Sequence, residues 1–254
     1  MTIYRRPDPI PLPQLVETPS SGLKPVRMPS DDLSALAARR IFMAIIGGAW
    51  SEADYLPKED KLGEELGVSR TVVREAIKTL SAKSIVEPRR RRGTAILDPT
   101  LWNMVDSDVI SWMSNGDRSS DVGDQLIEVL ALTQPQVAGK VAELNLADAD
   151  LKALAGRIKS ADPDDLPDAV LDFHLHLAAL AGNSFLFCLA QRSIEGLRTH
   201  HREQLVRHLQ RTTPDQYIEA IEAIVDLDPR AAQRAVFALF DHRMARQHHM
   251  SDQH

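Results

Sequence analysis

The sequence predicts a mostly α protein, an N-terminal winged helix-turn-helix followed by an all-α helical bundle, and three observations carry that prediction. Residues 67–80, Gly-Val-Ser-Arg-Thr-Val-Val-Arg-Glu-Ala-Ile-Lys-Thr-Leu, join a turn glycine, a helix-capping serine, outward arginines and an apolar stripe in one short element. Two short strand-like runs, Ile85 to Pro88 and Thr94 to Leu97, flank the basic turn Arg89 to Arg92 with Gly93. Beyond Asp98-Pro99 the strand signals cease, and nearly everything to about residue 247 is helical in period.

Taken in order, residues 1–30 form a flexible arm. Pro7, Pro9, Pro11, Pro13, Pro19, Pro25 and Pro29 deny helix and sheet hydrogen bonds, and Arg5, Arg6, Lys24 and Arg27 let the arm touch phosphates. From Asp31 the residues Leu33, Leu36, Ala37, Ile41, Ala44 and Ile45 recur at helical spacing until Gly47-Gly48 stops the run. A second helix runs from Lys58 to Leu66 and ends at Gly67. Ser69 caps a third that reaches about Lys83. With the two strands, these helices make a DNA-binding domain over residues 31–98. Residues 99–247 then hold about six or seven helices, broken at Asn115-Gly116, Asn145 to Asp148, Asp162 to Pro167, Gly182-Asn183 and Thr212-Pro214, and residues 248–254 are a polar tail.

Composition bounds the function. A chain of 254 residues that is 43% hydrophobic has room for two cores, and a formal charge of −6 argues against indiscriminate coating of nucleic acid. Contact with DNA must come from a local basic patch, and the segment from Lys58 to Thr94 supplies one, with ten Lys or Arg against six Asp or Glu. Cys188 is the single cysteine, which excludes an internal disulfide framework, and its apolar setting from Phe185 to Leu189 predicts a buried thiol. No apolar run is long enough to span a bilayer, and a secretory signal is absent, so the cytoplasm is the expected location.

In the third helix Val72, Val73, Ala76, Ile77 and Leu80 share one face, leaving Arg70, Thr71, Arg74 and Lys78 on the other. Arginine matches the acceptors on the guanine edge, and Ser69 and Thr71 can bond phosphates or bases. Arg74 is the leading candidate for base reading. Four successive arginines, Arg89, Arg90, Arg91 and Arg92, repel one another unless an anion relieves them, Gly93 permits close backbone approach, and Thr94 follows. The chain carries no glycine-rich phosphate loop, no nucleophile elbow and no internal repeat, so neither catalytic residues nor a cofactor are expected.

These residues resemble the GntR superfamily of bacterial transcription regulators. The resemblance rests on Leu56-Pro57-Lys58-Glu59, the turn from Leu66 to Arg70, Val73 to Ala76, and the wing end Arg92 to Thr94. Many members place a DNA-contacting arginine where this chain has Asp60, so Lys58 or Lys61 would supply that phosphate contact. The remainder is similar to the FCD domain of the FadR subfamily, a helical bundle around an effector pocket that also dimerises. It does so through Gln134-Pro135, through Phe173-His174 with Asn183 nine residues later, and through the last helix start from Asp228 to Ala232. The stretch Trp102 to Trp112, taken as a linker, is similar to that of galactonate-operon repressors in the same subfamily, which points toward a sugar acid.

The resemblance implies a metal site that this chain lacks. Val170, His174, Tyr217 and Leu239 stand at the four ligand places, and one imidazole cannot hold a zinc ion that needs about four donors. No metal is expected; a rearranged site would draw on His174, His242 and His200 or His201. Ala131 stands where relatives often carry an arginine and Gln134 where they carry a glutamate. The effector is therefore expected on neutral anchors, Gln134, His174, Tyr217 and His242, and Gly182-Asn183 reads as a helix-terminating pair.

The resulting expectation is a homodimeric, ligand-responsive regulator that represses from a pseudo-palindromic operator in double-stranded DNA and answers to a small organic acid or sugar acid. The alternatives that stay open are a DNA-binding protein whose C-terminal domain only dimerises, an enzyme built on His174 with Asp172 or on the acidic run Asp162 to Asp165, and a metal-dependent sensor on the rearranged histidine site.

Overall fold

A computed structural model describes residues 30–50, 54–115, 119–147 and 149–241. The proline-rich arm with Arg5, Arg6, Lys24 and Arg27, the polar tail and His242 lie outside the described residues. Chain packing separates two compact units at Ser119/Ser120.

The N-terminal unit opens with α1 (Ser30–Ile46), α2 (Glu59–Leu66) and α3 (Arg70–Ala82), followed by the antiparallel pair β1 (Val86–Arg89) and β2 (Gly93–Ile96). The α2–α3 turn shows why the sequence folds as it does. Gly67 ends α2 in the left-handed region at φ 68°, and the Ser69 side chain accepts from the Val72 amide at 3.3 Å to start α3. Gly63 lets the chain return: a Cβ there would stand 2.9 Å from the Val68 carbonyl oxygen. The face Val72, Val73, Ala76, Ile77 and Leu80 is buried, as the helical spacing requires. One pairing has no periodicity to announce it. The Leu56 amide donates to the Thr94 carbonyl at 2.8 Å and the Ile96 amide to that of Asp54 at 2.9 Å, so residues 54–56 line the second edge of β2.

Residues 102–113 are no free linker, and the N-terminal unit runs past residue 98. Helix α4 (Ser107–Met113) begins on an Asp106 cap, and Trp102, Val109 and Trp112 join the core of α1 and α3. Phe42, fully buried on α1, meets Trp102 at 5.4 Å and Trp112 at 5.3 Å between ring centroids. From the end of α3, Lys83 Nζ reaches Asp106 at 2.7 Å and Asp108 at 2.8 Å and lies 5.6 Å from the Trp112 ring centroid. Two aromatics six and sixteen positions beyond the end of the wing read as linker residues because nothing local says which surface they cover.

The second unit is all-α: α5 (Ser119–Glu143), α6 (Ala149–Ser160), α7 (Leu166–Leu180), α8 (Ser184–His200), α9 (Arg202–Leu209), α10 (Pro214–Val225) and α11 (Pro229–Ala238). With α4, eight α-helices lie beyond residue 99 among the described residues, one more than the six or seven expected, and the break at His201 between α8 and α9 is one that turn signals missed. Helix α5 approaches its neighbours closely at two glycines: a Cβ on Gly123 would stand 3.0 Å from the His201 ring, and one on Gly139 3.2 Å from the Pro229 carbonyl. Asp168 and Asp172, one turn apart on α7, bind Arg157, Arg198 and Arg202 at 2.7–3.0 Å, tying α6, α8 and α9 to α7. Cys188 is exposed rather than buried, because α8 turns the stripe Ala190, Ile194 and Leu197 inward and leaves position 188 outside it. Asn183 does not end α7. Gly182 does, at φ 62°, while the Asn183 side chain accepts from the amides of Phe185 and Leu186 and starts α8.

Phe42→Ala is expected to destabilise the N-terminal unit by about 3–5 kcal/mol, since it removes a buried aromatic and leaves a cavity between two tryptophans. Denaturant unfolding followed by tryptophan fluorescence reads this, and an unchanged midpoint would refute the packing assigned to residues 102–113.

Candidate functional site

The outer face of α3 is organised by carboxylates of α2. Glu59 Oε2 accepts from Arg70 Nε and from Arg74 Nε, both at 2.8 Å, and Asp60 Oδ1 stands 3.3 Å from Arg70 Nη1. The hydrogen bond from Arg70, joined by that from Arg74, holds the Glu59 carboxyl below its ordinary value. Both guanidinium groups remain more than half exposed, so the pairing is of the weak, solvent-screened kind and can exchange for another anion. Asp60, expected only as a lost contact, is an added acidic partner for Arg70. Thr71 and Ser69 are exposed beside them, Lys58 is exposed, and Lys61 leans toward Glu65 at 3.6 Å.

The wing adds charge of a different character. Arg89 Nε donates to Glu87 at 2.8 Å, whereas Arg90, Arg91 and Arg92 are exposed with no acidic partner among the described residues. Arg91 takes a positive φ of 63° and Gly93 one of 100°, which tightens the turn and crowds the arginines. Thr94 is half-buried, its carbonyl held by Leu56, so it serves the sheet edge as much as any outer surface. The two exposed, exchangeable arginine forks of α3 and the three unpaired arginines of the wing carry charge of the sign that suits a polyanion.

In the helical unit, Gln134, His174 and Tyr217 are all buried, at 0%, 2% and 2% exposure. Neither amide atom of Gln134 nor Nδ1 of His174 has a hydrogen-bond partner among the described residues. Burial is the first cause of a His174 pKa lowered to about 3, with nearby His208 the second, so the ring is neutral at physiological pH. Tyr217 sets its ring edge toward His174 with centroids 6.1 Å apart, and its hydroxyl is engaged by the Thr212 side chain. Val170 and Leu239 are buried apolar residues, and no cluster of three His, Cys, Asp or Glu is arranged to hold a metal among the described residues. His200 is exposed and His201 buried against Gly123 of α5.

His208 is the site residue that sequence reasoning missed. Phe240 lies between the two histidines, 5.3 Å from His174 and 5.5 Å from His208 by ring centroids. Its signal was present: His208 sits with Leu205 and Leu209 on the apolar stripe of α9. Phe240 also forms part of a cleft of about 440 Å³ between α5 and α9, whose walls include Ala131, His208 and charged residues of both helices. The residues proposed for catalysis are structural. Asp172 is occupied by Arg157 and Arg198, and Asp162 accepts from the amides of Asp164 and Asp165 in a local turn.

Comparison with known proteins places both units. Residues 33–96 match the model of bacterial regulatory proteins of the gntR family, and residues 125–242 match the FCD domain. The chain is 31% identical to the HTH-type transcriptional regulator YieP of Escherichia coli K12 over 168 residues, covering 63% of this chain and 72% of YieP. It is 33% identical to the galactonate operon transcriptional repressor of the same organism over 99 residues, 39% of this chain and 43% of that one. With the Uxu operon transcriptional regulator of Escherichia coli K12 it shares 26% identity over 210 residues, 76% and 78% of the two chains. The solved structure of Lar, which controls expression of the Listeria monocytogenes agr system, has a similar fold, with a TM-score of 0.52 and 20% identity across 89% of this chain and 99% of Lar.

The buried neutral histidine makes a pH prediction whose sign is fixed. Because the folded pKa of His174 lies below its ordinary value of 6.5, the stability it contributes is full above pH 6.5 and is lost as pH falls toward about 3. His174→Phe should flatten part of that loss between pH 6.5 and 5 in thermal unfolding. An identical pH profile for the variant would refute the assignment.

Proposed function

We propose that this chain, which belongs to the GntR family of bacterial regulatory proteins and carries an FCD domain, is a repressor that holds a pseudo-palindromic operator as a homodimer and is released by a small organic acid. It is a transcriptional regulator and not an enzyme, as its families and relatives are. The observation that supports the operator reading best is the shared grip of Glu59 on Arg70 and Arg74, because it holds both forks on the exposed face of α3 in a weak, exchangeable pairing.

On this reading residues 31–98 form the DNA-binding domain and residues 99–247 the effector and dimerisation domain, with residues 102–113 packed on the former. Arg74 and Arg70 leave Glu59 for base edges in the major groove, while Ser69 and Thr71 hold the adjoining phosphate at the start of α3. Arg90, Arg91 and Arg92, with Arg89, Gly93 and Thr94, follow the backbone beside them, and Lys58 and Lys61 supply phosphate contact near α2. Asp60 opposes the approach of phosphate and keeps non-specific affinity low. The protein works in the cytoplasm, where its operator is. Names of relatives that regulate galactonate and Uxu operons support a sugar acid as effector, with Gln134, His174, Tyr217 and His242 as neutral anchors. A second reading, in which the C-terminal domain only dimerises, draws on the apolar filling of Val170, Tyr217 and Leu239.

Arg74→Ala is expected to cost about 1–3 kcal/mol on the matched operator and to relax base preference at one position in each half-site. Arg91→Ala should weaken all sequences alike and reduce the slope of log affinity against log salt by about 0.9 per phosphate contact in each subunit. Asp60→Asn should raise affinity for unrelated DNA. Gel-shift titrations across salt read all three, and intact operator binding by Arg70→Ala with Arg74→Ala would sink the recognition-helix reading. For the effector, a sugar acid at about 100 times its dissociation constant should stabilise the protein by about 2.7 kcal/mol in thermal shift. Silence across a panel would favour dimerisation alone.

A further inference from the structure

The cleft between α5 and α9 has walls of opposite charge that do not touch. Asp124 and Glu128, one turn apart on α5, face a cavity also lined by Arg207 on α9 and by Arg211 in the turn that follows it. Neither arginine has an acidic partner among the described residues. Arg198 and Arg202, just before them in the chain, are both committed to Asp168. Unpaired arginine in a concave site has the geometry and charge to hold a carboxylate in two-point hydrogen bonding.

The rest of the cavity has a different chemistry. Ala131 lines the cleft one turn before Pro135, which has no amide hydrogen to donate to the Ala131 carbonyl. Phe240 offers an apolar ring that continues to neutral His174. Gln134, one turn beyond Ala131 on α5, does not line the cleft but is fully buried behind that wall, with both amide atoms unpartnered among the described residues. Its donor and acceptor together suit hydroxyl groups, which are also both. The volume of about 440 Å³ lies within the range of about 300–1,000 Å³ usual for small-molecule sites.

We propose that this cleft binds a polyhydroxylated acid with a single carboxylate, seated so that Arg207 and Arg211 hold the carboxylate and the hydroxyl chain runs past Ala131 and Phe240 toward Gln134. The assignment rests on the effector-domain reading above and gives it an orientation and a selectivity. Asp124 and Glu128 accept hydroxyl hydrogens, and they repel a second carboxylate at the far end of the ligand. The carboxylate receptor of this chain thus lies on α9 and the turn that follows it, across the cleft from position 131.

The test uses the full-length protein and calorimetric titration with three sets of probes: monocarboxylates (galactonate, gluconate, galacturonate), dicarboxylates (galactarate, glucarate) and uncharged galactitol and glucitol. At least one monocarboxylate should bind, more tightly than its dicarboxylate and alditol counterparts. Arg207→Gln with Arg211→Gln should weaken it by about tenfold or more, and Arg207→Lys with Arg211→Lys should retain part of the affinity. Glu128→Gln should raise dicarboxylate affinity. Unfolding without ligand checks each variant for intact folding, and the lysine pair keeps the test decisive if the glutamine pair is unstable. A monocarboxylate bound equally well by the glutamine pair, or a preference for dicarboxylates, would overturn the cleft assignment alone. Failure of every probe to bind the parent protein would overturn the effector reading with it.

Discussion

The N-terminal unit depends on burying Phe42. A phenylalanine on α1 has more apolar surface than α3 alone can cover, and Trp102 and Trp112 close over it from beyond the wing. That closure brings Asp106 to Lys83, at the C-terminal end of α3, and one ammonium group then holds both the cap of α4 and the neighbouring Asp108. The Asn103 amide adds a hydrogen bond to the Lys83 carbonyl at 3.0 Å. The helix that presents Arg70 and Arg74 is consequently braced at its far end by the segment that leads to the second unit. Residues 102–113 are thus tied to α3 by a packed aromatic cluster and a partly buried ion pair.

The recognition surface is held ready by anions of its own. Glu59 orders two flexible side chains before any ligand arrives, so part of their conformational entropy has already been given up. Because both arginines are more than half exposed and the carboxylate is partly so, the pairing is screened and weak. The wing works the other way: Arg90, Arg91 and Arg92 repel one another and gain from any polyanion. An acidic protein with a formal charge of −6 thus concentrates positive charge on this one helix and turn.

The helical unit separates polarity in a similar manner. Its interior has neutral polar groups, with His174 kept uncharged by burial, while charge is kept to the rim of the cleft. Full charges there stay hydrated and cost little, whereas the unpartnered neutral donors and acceptors inside carry a desolvation cost. Asp168 and Asp172 illustrate the contrast, since their arginine partners are spent on fastening helices together.

Local pattern was enough for much of this. The stripe Val72, Val73, Ala76, Ile77 and Leu80, the Ser69 cap, the Gly67 stop, the wing and the helix-rich remainder were legible because each depends on neighbours within a few positions. The family was legible for the same reason, its motifs being short and contiguous. Tertiary structure alone decided that Trp102 and Trp112 belong to the first core, that Asp60 meets Arg70, that Cys188 faces outward, and that His208 joins His174 across Phe240. Those facts turn on pairs far apart in the chain, or on which flank of a stripe a residue takes. Periodicity tells a helix which face to bury, but only packing tells it against what.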